Sequence, residues 1–255
     1  MEQNEALRTG DVMNVLCVIP ARGGSQRAPM KNVRPLCGKP LMAYTVEMAL
    51  KSRLCDKVVV STDHDRIADV AKEYGAAVVM RPAELARDTS PIDDALRHAL
   101  RTEEEAAGKT FDAVVALQAN VPIRKEGDID AAVEKLLSRK DYTAVATAYQ
   151  VGQRPEWMKI LDPETGVIRP FMPSAHAYRM QDLPPLYLLD GAVIVLKREP
   201  LLAAAGVLKV HAYMGDRVAL LVHDEQYAIE IDQEEDFLKT EFYMKYQTII
   251  ESRTA

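Results

Sequence analysis

Hydrophobic and polar positions change their spacing several times in the first 150 residues, and these changes predict alternating strands and helices. Short apolar runs predict buried strands at 15–19, 58–62, 78–80 and 113–117, and alternation predicts another at 142–149. Apolar residues three or four apart predict helices at 40–51, 64–74, 89–107 and 128–138. Strands separated by helices form βαβ units, so we expect an α/β, Rossmann-like, mostly parallel twisted sheet with flanking helices.

The pattern changes after residue 149. Residues 150–190 are rich in proline and aromatic side chains and offer little helix, so we expect a small protruding lobe of short strands and loops. The alternative is a loose surface loop, but its apolar content is high for disorder and its length is unusual within a domain. The remaining apolar runs predict strands at 192–196, 217–222 and 227–232, and helices at 200–205 and 234–250. Phe237 and Phe242 should turn the last helix towards the sheet.

Composition narrows the class of protein. The 255 residues fit one domain over 14–255 after a loose leader at 1–13, and the net charge of −6 argues against a nucleic-acid partner. No apolar run approaches the roughly 18 residues that a membrane span requires. The cysteines are three, an odd number without metal-type spacing, which favours reduced thiols in a cytoplasmic protein.

The loop after the first predicted strand has the chemistry of an anion site. Two glycines, Gly23 and Gly24, allow the backbone to turn tightly, and Arg22, Arg27 and Lys31 supply positive charge. In α/β proteins such a loop lies at the carboxyl end of a strand, where phosphates bind. It matches neither of the two best-known phosphate loops. An ordinary turn with solvated basic residues is the alternative.

The string I-P-A-R-G-G-S-Q-R-A-P-M-K-N at 19–32, followed by G-K-P-L, resembles the opening of the acylneuraminate cytidylyltransferases. This is the CMP-sialic acid synthetase family, which is related to the KDO cytidylyltransferases. V-S-T-D at 60–63 and R-P-A-E-L-A at 81–86 resemble two further segments of the family. The resemblance implies a nucleotide-diphospho-sugar transferase fold and transfer of CMP from CTP to the anomeric hydroxyl of a 2-keto-3-deoxy sugar acid. It also implies a homodimer that pairs through the 150–190 lobe.

The resemblance assigns roles to particular residues. Arg22, Lys31 and Asp232 would be catalytic, and Arg81 would contact the cytidine or a phosphate, unless it is a surface arginine paired with Glu84. Ala21 would read the base through its backbone. The implied nucleotide-binding set is Ala21, Arg22, Gly23, Gly24, Ser25, Arg27, Lys31, Asn32 and Arg81.

The segment Glu230-Ile231-Asp232 is the candidate metal site. On a strand, residues two apart face the same side, so Glu230 and Asp232 would reach one cation. Mg²⁺ typically takes one or two carboxylates together with phosphate oxygens and waters. A solvated strand edge is the alternative. The segment resembles the family's D-I-D-x-x-E-D-L, whose acids hold the catalytic magnesium, with Glu230 in place of the first Asp.

The acceptor side departs most from the family. Where the family has L-L-Q-P-T-S-P-L-R, this chain has A-L-Q-A-N-V-P-I-R at 116–124. Where the family has R-x-N-G-A, this chain has L-L-D-G-A at 188–192. Losing a cation at 188 and gaining Asp190 would redirect specificity, since a charge-assisted contact is worth roughly 1.5–3 kcal/mol. Compensated drift, a phosphonate or other acid as acceptor, and a catalytically inactive homologue are the alternatives. The implied acceptor-binding set is Gln118, Asn120, Arg124, Lys159, Arg179, Gln181 and Asp190.

Overall fold

The computed structural model describes residues 13–25, 27–172 and 179–254, so the predicted leader lies outside it except for Met13. The strands, in chain order, are β1 (Val15–Pro20), β2 (Pro35–Leu36), β3 (Lys39–Pro40), β4 (Lys57–Thr62), β5 (Ala77–Met80), β6 (Ala113–Ala116), β7 (Ala144–Gln150), β8 (Lys159–Leu161), β9 (Ile168–Pro170), β10 (Tyr187–Lys197) and β11 (Val218–Val222). The helices are α1 (Leu41–Leu50), α2 (Asp65–Glu73), α3 (Ile92–Ala107), α4 (Asp128–Leu137), α5 (Arg198–Ala203) and α6 (Glu234–Thr254).

Seven strands form one sheet in the order β11-β7-β10-β6-β1-β4-β5. All neighbours pair in parallel except β10, which is antiparallel to both β6 and β7. The predicted α/β class with a mostly parallel sheet is confirmed. β1 lies inside the sheet: Cys17 pairs with Val58 of β4 on one side and with Val115 of β6 on the other.

Alternate residues of β1 enter the two cores on opposite faces of the sheet. Val18 lies in the core that contains Leu96 of α3, whereas Ile19 lies in the core that contains Met42 of α1. The strand is buried on both sides, which explains its continuous apolar sequence. Among the described residues, no helix is both long and apolar enough to cross a bilayer.

The prediction of a strand over 227–232 is wrong. Residues Glu225–Tyr227 form a 3-10 turn, and the following segment is irregular up to α6. Single hydrogen bonds replace a strand ladder: the amide of Ile231 donates to the carbonyl of Asn120 at 2.9 Å. The carboxylate of Asp236 then accepts from the amides of Asp232 and Gln233, which starts the helix as in a capping box.

Two helix predictions also need correction. α3 begins at Ile92, after Pro91, because the hydroxyl of Ser90 is used by the preceding turn, where it accepts from the amide of Arg87. α6 does not turn both of its phenylalanines towards the sheet. Phe237 is buried against Ile231, under the first loop, whereas Phe242 is 62% exposed.

The predicted lobe contains a small antiparallel hairpin, β8–β9, separate from the main sheet. Its attachment includes the amide of Val151, which donates to the carbonyl of Leu186 at 3.0 Å. The hairpin region exposes large apolar side chains, namely Trp157, Leu161, Val167, Ile168 and Phe171.

Candidate functional site

A cleft of about 250 Å³ opens where the carboxyl ends of β1 and β6 diverge. The chain runs from β1 to β4 and β5 on one side, and β6 joins β1 on the other, so this is the topological switch point at which open α/β sheets bind ligands. The cleft is lined by Arg22, Lys31, Arg81, Gln118, Asn120 and Asp232, among others. Arg22, Lys31 and Arg81 belong to the predicted nucleotide set, Gln118 and Asn120 to the predicted acceptor set, and Asp232 to the predicted metal site.

The first loop is fastened by internal hydrogen bonds. The amide of Ala21 donates to Ser61 at 2.9 Å, and that of Gly23 donates to the carboxylate of Asp63 at 2.9 Å. The buried amide of Asn32 donates to the carbonyl of Arg22 at 3.0 Å. Asn32 therefore shapes the loop, and the N–H groups of Ala21 and Gly23 are occupied within the protein. Sequence reasoning quoted Asp63 in a motif but gave it no role.

Gly23 is required by a close approach. A Cβ at this position would lie 2.8 Å from the ring of His64, whereas one at Gly24 would meet nothing within 4 Å. Ser25 donates its amide to Gly23 at 3.0 Å, which keeps the loop compact.

Two arginines supply positive charge on the β5 side of the cleft. Arg22 forms an ion pair with Asp88 at 2.6 Å. Arg81 is buried and donates to the carbonyls of Ser61 at 2.6 Å and Leu85 at 3.3 Å, so the alternative of a surface arginine is wrong. Its Nε is buried and has no partner in the described part of the chain. Burial lowers the pKa of Arg81, with the charge of Arg22 acting in the same direction and that of Asp63 opposing it.

Lys31 and Asp232, 201 positions apart in sequence, meet on the opposite side of the cleft. The ammonium of Lys31 donates to Asp232 at 2.8 Å and to the carbonyl of Ile231 at 3.0 Å. Asn120 donates to the same carboxylate oxygen at 3.0 Å, and Arg27, largely exposed, lies 3.7 Å from its other oxygen. Partial burial opposes ionisation, but the bond to Lys31 outweighs it and holds the pKa of Asp232 below its ordinary value.

Glu230 and Asp232 lie on either side of a buried residue, as they would on a strand, although this segment forms no strand. Ile231 is fully buried between Glu230 and Asp232. The pKa of Glu230 is raised by desolvation first and then by the charges of Asp232 and Asp190, which indicates that the two acids are close enough to repel. Lys31 offsets part of this repulsion, and two neighbouring carboxylates are the oxygen donors that a hard divalent cation prefers. The described residues contain no cluster of three or more metal-ligating side chains, so phosphate oxygens and water would complete such a shell.

The structure separates the predicted acceptor residues. Gln118 and Asn120 line the cleft, but Arg124 does not. Arg124 is buried and its guanidinium donates to Ala192 at 2.8 Å, to Gln118 at 2.6 Å, and to Thr45 and Val121. Most of its donors are used by the protein, so its predicted role in acceptor binding is replaced by a structural one beneath the cleft.

Asp190 is likewise not an acceptor ligand in this structure. The residue is 2% exposed, and its carboxylate accepts from the hydroxyl of Thr147 at 2.6 Å and the amide of Ala192 at 2.8 Å. Its second oxygen lies 2.7 Å from Nε2 of His223. The charge gained at this position is therefore met inside the protein. Sequence reasoning missed His223, which no motif marked.

The other predicted acceptor residues, Lys159, Arg179 and Gln181, lie on the lobe. All three are exposed, and Arg179 pairs with Asp182 at 2.8 Å. Among the described residues, none of the three lines the cleft. Tyr178, next to Arg179 in the quoted motif, lies outside the described residues.

Comparison with known proteins identifies the family. A sequence profile described as "Cytidylyltransferase" matches residues 16–246. The chain belongs to the cytidylyltransferase family. CMP-N,N'-diacetyllegionaminic acid synthase of Legionella pneumophila is 33% identical over 91% of this chain and 97% of its own length. N-acylneuraminate cytidylyltransferase of Streptococcus agalactiae serotype V is 31% identical over 89% of this chain and 52% of its own length.

Solved structures share the fold of this chain. CMP:2-keto-3-deoxy-manno-octonic acid synthetase complexed with CTP matches 92% of this chain and 99% of its own, with a TM-score of 0.68 and 17% identity. A 4-diphosphocytidyl-2C-methyl-D-erythritol synthase from Anaerococcus prevotii matches 92% of this chain with a TM-score of 0.64 and 16% identity. At these identities the likeness establishes the fold alone.

Proposed function

We propose that this cytidylyltransferase transfers CMP from CTP to the anomeric hydroxyl of a 2-keto-3-deoxy sugar acid and releases pyrophosphate. The observation that carries the proposal is the cleft at the switch point, where Arg22, Arg81 and Lys31 surround a space large enough for a triphosphate. The names of the full-length relatives supply the acceptor class, and a nonulosonate of the legionaminic type is the first candidate.

Catalysis in this cleft is electrostatic. The cations neutralise the charge that develops on the phosphates as the acceptor oxygen attacks the α-phosphorus in line with the departing pyrophosphate. An ammonium has three donors, and two of those on Lys31 are held by Asp232 and Ile231. The third is available for a phosphate oxygen. Asp232 and Asn120 thus fix the direction in which Lys31 acts.

Glu230 and Asp232 are the residues that would hold Mg²⁺. When bound, this ion neutralises triphosphate charge and aligns the reacting groups. The two carboxylates lie on either side of a buried isoleucine, and that anchoring limits how far they can separate. Asp232 also interacts with Lys31, so its carboxylate links the metal site to the phosphate site.

We also propose that the protein is a cytoplasmic homodimer that pairs through the lobe. The exposed apolar side chains Trp157, Leu161 and Phe171 support an interface there. A dimer would bring the exposed lobe residues of one subunit towards the cleft of the other. The described cysteines are all free thiols, which is consistent with the cytoplasm.

The test is pyrophosphate release from each of the four nucleoside triphosphates, with Mg²⁺, against a panel of acids. The panel holds legionaminic, pseudaminic, N-acetylneuraminic and 3-deoxy-manno-octulosonic acids and a simple phosphonate. Turnover with CTP and one of the sugar acids is the expected result. Turnover with the phosphonate alone would show that the acceptor is not a sugar acid. CTP binding without turnover on any acid would show that the protein binds the nucleotide and does not catalyse the transfer.

A further inference from the structure

Three elements meet in a buried charged cluster behind the cleft. His223, directly after β11, lies between Asp128 at the first position of α4 and Asp190 in β10. Nδ1 of the imidazole lies 2.8 Å from Asp128, and Nε2 lies 2.7 Å from Asp190. All three side chains are at most 9% exposed. Asp190 was predicted to bind the acceptor, but none of the three residues lines the cleft.

The geometry fixes the charge of the ring. Each imidazole nitrogen faces a carboxylate oxygen at hydrogen-bond distance, and a carboxylate can only accept. A neutral ring protonates one nitrogen, so the lone pair of the other would oppose a carboxylate. An imidazolium donates to both. Burial alone would disfavour this charge, but the two carboxylates outweigh it and raise the pKa of His223 to about 9.

The cluster connects directly to the floor of the cleft. Asp190 precedes Gly191, whose carbonyl accepts from the amide of Gln118 at 3.3 Å. The contact is tight, because a Cβ on Gly191 would lie 2.2 Å from the side chain of Gln118. The carbonyl of the next residue, Ala192, accepts from Arg124, which in turn binds the carbonyl of Gln118.

We propose that His223 is a positioning residue: as an imidazolium clamped between Asp128 and Asp190, it holds the backbone of β10 at Gly191 against Gln118 and so sets the acceptor side of the cleft. This role rests on the proposed function. It also reassigns Asp190, whose charge is one half of an internal pair with His223 and does not select the acceptor.

The surroundings of the cluster set its pH dependence. Besides Asp128 and Asp190, the ring faces Tyr227 with ring centroids 5.7 Å apart. The charge of Asp190 also acts on Tyr149, Glu230 and Arg124. The folded protein keeps a proton on His223 that the unfolded chain loses near pH 6.5. The stability that the clamp contributes is therefore complete below that pH and is lost as the pH rises through about 9.

The first experiment reads the ring directly. NMR of protein labelled with ¹⁵N-histidine reports the protonation of each ring, and the signals of His223 are those missing from His223→Gln. They should show two protonated ring nitrogens at pH 7.5 and the loss of one ring proton above about pH 9. One protonated nitrogen at pH 7.5 would overturn the proposal. This arm does not depend on turnover, so it separates failure of the clamp from failure of the proposed function, which would appear as no pyrophosphate release by the wild type.

The second experiment is kinetic and uses a rescue. His223→Gln leaves two buried carboxylates without their cation, so kcat/KM for the sugar acid should fall by about tenfold or more while the KM for CTP stays within about twofold. Adding Asp190→Asn removes the excess charge, and its amide can hydrogen-bond to Gln, so the double variant should regain most of the loss. Asp224→Asn, an exposed neighbour, is the control and should match the wild type.

Two kinetic outcomes would overturn the clamp. One is a double variant no better than His223→Gln, and the other is equal loss for CTP and acceptor. If His223→Gln does not fold, Asp190→Asn alone is measured. In the pH profile of this variant, the fall of kcat/KM near pH 9 should be smaller than in the wild type. An unchanged limb in that variant would count against the proposal.

Discussion

The cleft and the lobe differ in how their functional residues are held. In the cleft, every predicted cation that lines it is fixed by a named partner: Arg22 by Asp88, Arg81 by backbone carbonyls, and Lys31 by Asp232. On the lobe, Lys159, Arg179 and Gln181 are exposed beside large apolar side chains. One half of the proposed site is preorganised within a single chain, and the other half is not.

This difference separates the two substrates. Phosphate neutralisation needs charges held in place before the reaction, and the cleft provides them. Acceptor recognition by the lobe requires it to approach a cleft, and a second copy of the chain is our proposed way to bring it there. Changes in the cleft should therefore damage turnover itself, whereas changes on the lobe should damage acceptor affinity. The predictions below run from the largest effect to the smallest.

Lys31→Ala should have the largest effect. It removes the cation that lies between Asp232 and the space for the phosphates, so kcat should fall by about 100- to 1,000-fold, as for loss of a preorganised donor to developing charge. Steady-state pyrophosphate release measures this. Lys39→Ala is the matched control, because that lysine pairs with Glu47 away from the cleft. Near-normal turnover of Lys31→Ala would remove this residue from the mechanism.

Asp232→Asn tests the metal assignment. The amide keeps the size of the side chain but loses the charge, so the Mg²⁺ concentration for half-maximal rate should rise by about tenfold, or more. Glu234→Gln, whose carboxylate pairs with Arg34 outside the cleft, should leave that concentration unchanged. An Mg²⁺ dependence identical to that of the wild type would exclude Asp232 as a ligand.

Alanine substitutions at two glycines would compare the backbone strain beside the cleft with that in the lobe. Gly191 beside the cleft and Gly166 in the lobe have similar positive φ values, +67° and +71°. Alanine at either position costs about 1–2 kcal/mol for the left-handed conformation. Only Gly191→Ala also drives a Cβ into Gln118, which adds about 1–3 kcal/mol. Urea unfolding measures both, and equal losses would show that Gln118 moves away freely.

The sheet was predictable from sequence, because β1, β4 and β6 are almost completely buried and therefore form continuous apolar runs. The final strand was not. Glu230-Ile231-Asp232 carries the alternation of a strand, yet its backbone bonds to Asn120 and Lys31 and not to a neighbouring strand. The local pattern of apolar and polar residues indicates which side chain is buried. It does not indicate which distant part of the chain buries that side chain.

The charged residues show the same limit more sharply. The basic loop marked Arg22 and Lys31 as cleft residues, because their sequence context was specific. The same motif-based reasoning placed Arg124 and Asp190 beside the acceptor, whereas burial assigns both to the protein interior. The partner of Asp190 is His223, which is 33 positions away and directly follows β11. Nothing in the sequence links the two, so the compensation was visible only in the fold.

Arg179→Ala should have the smallest effect and the most selective one. The residue is exposed on the lobe and pairs with Asp182, so its loss should leave folding and the KM for CTP unchanged. If its cation meets the carboxylate of the acceptor, the KM for the sugar acid should rise by up to about tenfold, the equivalent of roughly 1.4 kcal/mol. Arg139→Ala, an exposed arginine paired with Asp141, is the control.

Because the lobe and the cleft would belong to different subunits, mixing Arg179→Ala with Lys31→Ala should form dimers in which one site has both residues intact. Turnover at low sugar acid concentration should then exceed that of either variant alone. Mixed dimers with no gain would assign both residues to the same subunit's site.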